Sequence, residues 1–278
     1  MIDARTFAWV TGLHWSGVVC YVLVTILTMA AVFFDRHQWE RPVPIILTTG
    51  IIAHGAGILV WWNAVGHGPY LNRFEVLSAN AWVLVAAYLL FHSKYPRIKP
   101  VRVFIFPAAF FQLAIGLFLR PEMRYLPPTF RSVWLVIHII LYKIAFAALV
   151  IAFAFSVSLI IPARKKTGRT MLFSLSPDEV DLMAYRFSGF GFVFWAFGML
   201  AGSIWAYQSW NIFWNWDPVQ TWSLITWLAF GLYLHVRRFF GWRRKKAAWL
   251  FVVCFLLAVS SLFLTPFLES SIHAEYFK

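Results

Sequence analysis

Between Trp205 and Trp227 the sequence reads WAYQSWNIFWNWDPVQTWSLITW and holds six of the chain's 16 tryptophans. Asp217-Pro218 sits in its middle, with no Lys or Arg anywhere in the stretch. Tryptophan belts at membrane interfaces are ordinary and would account for two or three of these residues, but not for this density. An apolar aromatic shelf with one carboxylate suits a large, flat, amphipathic ligand whose rings stack on indoles. Other ionisable side chains lie within apolar runs: His54, His138, Lys143 and His235. Such a group is costly inside a membrane unless it is paired or faces a polar cavity, so each is a functional-site hypothesis. Cys20 and Cys254 also lie in apolar runs, which leaves no loop disulfide or CxxC redox motif.

These residues need a scaffold, and composition says which kind. Of 278 residues, 61% are hydrophobic and 13% charged, with a mean hydropathy of +0.71. A soluble domain carries roughly 45–50% apolar and about 25% charged residues. That excludes a soluble enzyme, a disordered chain and a secreted disulfide scaffold. The apolar blocks predict an all-α, polytopic integral membrane protein with about eight transmembrane helices, at 11–34, 43–65, 74–92, 103–119, 133–161, 187–207, 219–236 and 247–268. The first block reads as a retained span because it lacks a small-residue cleavage site. Residues 1–278 then form a single transmembrane domain, with the Trp-rich loop at about 205–222.

Alternate connections carry 17 basic residues on one side against six on the other, with Lys143 inside a span. The basic set includes Arg36, Lys99, Arg169, Arg186, Arg237 and Lys245. By the positive-inside rule both termini and the Trp-rich loop face outward. The net charge of +13 therefore sets topology and does not imply nucleic acid. In the one long basic connection, Ser176-Pro177-Asp178-Glu179 reads either as a helix start leading into span six or as a solvated connector.

At this point the residues resemble a known family. Trp205, Trp210, Trp214, Trp216, Asp217, Pro218, Thr221 and Trp222 look like the WWD signature of the haem-handling proteins of cytochrome c assembly, most of all the CcsA type of the System II cytochrome c synthetase. Gly66-His67-Gly68-Pro69 with Asn72, Phe74-Glu75 and Leu77-Ser78 is similar to that family's outer loop and third span. His138 resembles the histidine before the signature, His235 the one in the following span, and His273 the final outer histidine. The chain departs from the pattern at Gln220, where an acid is usual, and at Asn211, where glycine is common. HemX-like proteins, associated with tetrapyrrole synthesis, share the eight-span layout and keep a weaker Trp-Asp motif.

The resemblance implies haem b as the ligand. Two imidazoles, His138 and His273, would fill opposite axial positions of the iron beside the shelf of Trp205, Trp210, Trp214, Trp216 and Trp222. His235 would belong to a deeper membrane site whose second ligand comes from a separate CcsB-like subunit. His54 is an alternative internal ligand or a histidine hydrogen-bonded between helices, and His67 reads as loop architecture more than as an iron ligand. Lys143 is a candidate partner for a haem propionate. Trp214, Trp216 and Asp217 would present the haem vinyl groups to the CxxCH thiols of an apocytochrome c, in a bacterial cytoplasmic membrane or a thylakoid-type equivalent. The chain would work within a holocytochrome c synthase (haem lyase) complex. The rival reading is a non-catalytic HemX-like regulator or haem-binding scaffold.

Overall fold

A computed structural model describes residues 3–119, 121–122, 126–161 and 175–264. Among them are eight long helices and no strand: α1 (Ala4–Phe33), α2 (Val43–Val65), α3 (Arg73–Lys94), α4 (Arg102–Phe118), α5 (Val133–Ile160), α6 (Pro177–Trp210), α7 (Pro218–Phe239) and α8 (Arg244–Phe263). The chain is a polytopic, all-helical membrane protein. Seven of the eight helices are long and apolar enough to cross a membrane. The exception, α7, has 22 residues, but two Trp, two Thr, Tyr, His and a basic end dilute its Leu, Ile and Phe. The helices fall into two compact units, Met1–Leu126 and Pro127–Lys278.

Helix ends follow local chemistry. At the start of α3, Asn72 accepts from the Glu75 amide while Glu75 accepts from the Asn72 amide, a capping box. The same reciprocal pair, Ser176 and Glu179, starts α6 with Pro177 at its first position. The sequence read Ser176–Glu179 as a possible helix start, and here α6 runs unbroken for 34 residues from that point. Asp217 caps α7 by accepting from the Val219 amide at 2.9 Å, again followed by proline. The C-terminus of α2 closes on Gly66 at φ +77°, a left-handed position that costs glycine nothing.

In the first unit α1 packs on α2 and α4, and α3 packs on α4. A polar chain joins three of these helices. The Nδ1–H of His14 donates to the Val10 carbonyl at 2.7 Å, and a carbonyl can only accept. The His14 Nε2 therefore accepts from Ser78 Oγ at 3.1 Å. Ser78 Oγ in turn accepts from His54 Nε2 at 3.0 Å. His54 Nδ1 is left to accept from the Tyr21 hydroxyl at 3.2 Å. Both histidines are 0% exposed, and each bond of the chain has one consistent donor and acceptor. His54 is the interhelical hydrogen-bonding histidine: both of its ring nitrogens are engaged. One turn before Ser78, the buried Glu75 carboxylate accepts from Trp61 Nε1 (2.8 Å), the Leu71 amide (2.7 Å) and Asn72 Nδ2 (2.9 Å). An unsatisfied buried polar group costs about 1–3 kcal/mol, so this set specifies how α1, α2 and α3 meet. His67 is buried in the Gly66–Gly68 turn and donates from Nδ1 to the Gly68 carbonyl at 2.9 Å.

In the second unit α5 packs along α6 and against α8, and α7 joins α6 and α8. At the basic end of α7, Arg237 holds the Asp181 carboxylate of α6 at 2.7 and 2.8 Å. Arg244, at the start of α8, donates its amide to Asp181 at 2.8 Å and its guanidinium to Asp178 at 2.8 and 3.0 Å. These pairs fix one end of the unit. The other end carries the tryptophan-rich loop.

Candidate functional site at the tryptophan-rich end of the second unit

The loop between α6 and α7 is short, 211–217, and its conformation is set residue by residue. Asn211 ends α6 at φ +58°. Asparagine is the usual alternative to glycine in that left-handed position, so this departure from the motif preserves the turn. The Asn215 amide donates to Gln220 Oε1 at 3.1 Å, and the Asp217 amide to Asn215 Oδ1 at 3.2 Å. An amide oxygen at 220 thus does the accepting that a carboxylate could do. Thr221 Oγ1 donates to the Trp216 carbonyl at 3.1 Å. Asp217 is 5% exposed and spends one carboxylate oxygen on the Val219 amide.

Trp216 departs from ordinary backbone geometry, with φ +60°. A bulky residue there is a true outlier and costs about 1–3 kcal/mol, which persists only where surrounding contacts hold it. Here the hydrogen bonds of Asn215, Asp217 and Thr221 flank it on both sides. The result is an indole left 69% exposed, meeting the half-buried Trp214 edge-on at 5.8 Å. At the end of α6, Tyr207 stacks on Phe213 of the loop with ring centroids 4.2 Å apart. Trp222, one turn into α7, is also exposed.

The other tryptophans of the motif lie beneath this surface. Trp205 is 3% exposed and donates from Nε1 to the Thr129 carbonyl at 2.8 Å. Trp205 meets Phe130 edge-on at 5.7 Å and the half-buried Trp210 edge-on at 4.9 Å. Trp205 is a foundation for the loop, while Trp214, Trp216 and Trp222 are its accessible face.

His138 stands on α5 against this foundation, its ring 6.4 Å from Trp205 and nearly parallel to it at 29°. Its Nδ1–H donates to the Gly198 carbonyl of α6 at 2.8 Å. That bond fixes the tautomer and puts the lone pair on Nε2, the arrangement most metal-ligating histidines adopt. One turn along α5, the Tyr142 ring meets His138 at 4.8 Å and its hydroxyl bonds Ser223 of α7 at 2.5 Å. Trp195 Nε1 donates to the same Ser223 oxygen at 3.0 Å. Tyr142, Trp195, Gly198 and Ser223 carry no functional signal on their own in the sequence; only Gly198-x-x-x-Gly202, a close-packing pattern of membrane helices, marks the place.

The remaining candidates lie elsewhere. Because α7 is continuous, His235 is about 27 Å along the helix from Asp217 at 1.5 Å per residue. It is exposed there, against Phe239 and Phe240 at 4.5 and 6.1 Å. Lys143 is half-buried and about 140° around α5 from His138, on the side of Phe146, which packs on Phe255 and Phe263 of α8. His273 lies outside the described residues.

The family described as cytochrome C assembly protein matches residues 70–273, a stretch that includes all of α3 to α8. The chain belongs to that family. A cytochrome c biogenesis protein CcsA from Chlamydomonas reinhardtii is 34% identical over 206 residues, covering 72% of this chain and 58% of its own length. A CcsA from Prochlorococcus marinus (strain AS9601) is 30% identical over 277 residues, 89% of this chain and 88% of its own. The chain thus spans little more than half of the algal relative. Among solved structures, the cytochrome c heme lyase CcmF superposes with a TM-score of 0.70 at 18% identity, covering 100% of this chain and 49% of that one. At that identity the likeness is one of fold. Family membership ties this cytochrome c biogenesis protein to haem, and the chemistry of the donors fits: a tautomer-locked imidazole packed against Trp205, with exposed tryptophans on the loop that Trp205 supports.

Proposed function

We propose that the protein presents haem b on the Trp214–Trp216–Trp222 face for covalent attachment to the CxxCH thiols of an apocytochrome c. The observation that carries this reading is the Nδ1–H bond from His138 to the Gly198 carbonyl, with the ring packed against Trp205, at the foot of a loop that holds the Trp216 indole exposed at a backbone cost. His138 and His273 would hold the haem iron. Each thioether forms when a cysteine S–H adds across a haem vinyl double bond, sulfur to one carbon and hydrogen to the other. The substrate brings both thiols, so the chain needs no nucleophile of its own. Its contribution is to hold a porphyrin plane at fixed height and tilt, and positioning of this kind supplies a large share of many rate enhancements. Trp216 is the stacking contact, and Asp217 acts through the loop that it caps.

The same proposal takes His235, at the basic end of α7, as the ligand of an entry site completed by a CcsB-like subunit. Lys143 is the cation for a propionate. All 278 residues work as one haem-handling domain, in a bacterial cytoplasmic or thylakoid-type membrane with the loop on the outer side. A reporter fused at Lys245 should be active in the cytoplasm and one fused near Gln208 outside; the reverse pattern overturns the orientation. Reduced-minus-oxidised absorption spectra of the purified full chain with its partner test the haem site. A six-coordinate bis-histidine spectrum is expected, and absence of bound haem after supply in the membrane would overturn the proposal.

A further inference from the structure

We infer that Gly198 and Gly202 of α6 are positioning residues for His138, forming a seat that fixes both the tautomer and the direction of its imidazole. The functional meaning of this seat rests on the proposed role of His138 as an iron ligand.

Three observations carry it. A Cβ placed on Gly202 would lie 2.5 Å from His138 Nδ1 and 2.7 Å from Cε1, inside any permitted contact. One turn earlier, Gly198 lends its carbonyl to the same Nδ1–H at 2.8 Å. A Cβ on Gly198 would in turn lie 2.8 Å from the Tyr142 ring. Residues four apart share a helix face, so the ring rests in a trough made by the two missing side chains. The Gly198 carbonyl, at one end of the trough, accepts the hydrogen bond from its Nδ1–H.

Letting α5 slide away would cost contacts one turn along. Tyr142, one turn from His138, is tied through its hydroxyl to Ser223, which also accepts from Trp195. An added methyl at 202 must therefore be accommodated by the imidazole, which is the movable end of a side chain. Swinging it out breaks the bond to Gly198 and releases the tautomer. Another α6 glycine on the α5 side supplies an internal comparison. A Cβ on Gly191 would lie 2.5 Å from Leu149 Cδ2, an equally tight clash with no histidine near it.

The experiment uses the full chain labelled with 15N-histidine, purified without haem, in which ring nitrogen shifts report the tautomer. The His138 signal is identified by its loss in His138→Ala. The seat predicts one fixed Nδ1–H form in the wild type, retained in Gly191→Ala and lost in Gly202→Ala. A Gly202→Ala protein that keeps the wild-type His138 signal overturns it. Should Gly202→Ala accumulate poorly, the double variant Gly202→Ala/His138→Ala should recover the abundance of His138→Ala alone, because the methyl then has no ring to strike. A double variant no better than Gly202→Ala overturns the seat equally. After haem loading with the partner subunit, Gly202→Ala should lose the six-coordinate spectrum and regain it on adding imidazole. His138→Ala that binds haem with an unchanged spectrum sinks the ligand role itself, whereas the haem-free signal decides the seat.

Discussion

Replacing His138 by Ala is expected to reduce covalent haem on a co-expressed apocytochrome to background, and millimolar imidazole to restore part of it. In the proposed role, removing the side chain takes away an iron ligand, while the vacancy on α5 abuts the glycine carbonyl of Gly198 and the open side of Gly202. Free imidazole has the size and the hydrogen-bond donor to occupy that vacancy in the native orientation. The fold should tolerate the change, because Trp205 keeps its anchor on Thr129 and Tyr142 keeps its anchor on Ser223. Pigment content, covalent haem and imidazole dependence are measured on the same preparations. Loss of attachment with full haem content and no imidazole response would show that His138 serves a step other than ligation.

The second large effect concerns Trp216 and separates stacking from scaffold. Trp216→Gly removes the exposed indole and at the same time relieves a left-handed conformation costing about 1–3 kcal/mol. Thermal unfolding should therefore be unchanged or shifted upward. Attachment should nonetheless fall, by about two- to tenfold, since an aromatic contact contributes about 0.5–1.5 kcal/mol beyond area burial and about 1.36 kcal/mol corresponds to a factor of ten. Asp217 offers the complementary test. Asp217→Ala removes an N-cap worth about 0.5–2 kcal/mol and should let the loop swing, lowering attachment. Asp217→Asn keeps a capping oxygen and should retain most of it. If Asn fails as badly as Ala with the loop intact, the carboxylate charge is used directly.

Much of this arrangement was legible in the chain. Ser176-Pro177 and Asp217-Pro218 announce helix starts through local hydrogen-bonding chemistry that needs no tertiary partner. Blocks of apolar residues mark the spans for the same reason, since hydropathy is summed along one segment. What stayed hidden depends on pairing between segments. Ser78 lies between His14 and His54 only because α1, α2 and α3 meet at that height. The seat under His138 exists only when α5 lies on the Gly198–Gly202 face of α6. Trp205 belongs to the motif by sequence, yet packing buries it beneath the loop while Trp216 is pushed outward. The left-handed turn at Trp216 could not be read at all, because nothing in a tryptophan's chemistry favours it; the flanking hydrogen bonds impose it. Conversely, the sequence does not say what the departing residues do: Asn211 holds the left-handed end of α6, and Gln220 accepts from the Asn215 amide.

The most direct test of haem presentation is covalent haem on an apocytochrome co-expressed with this chain and its partner subunit. The account predicts haem that survives denaturation, bound through both CxxCH cysteines and absent when this chain is omitted. Wild-type protein that is abundant, binds its partner and leaves the apocytochrome unmodified would contradict it, most clearly if Trp216→Gly altered tetrapyrrole synthesis instead.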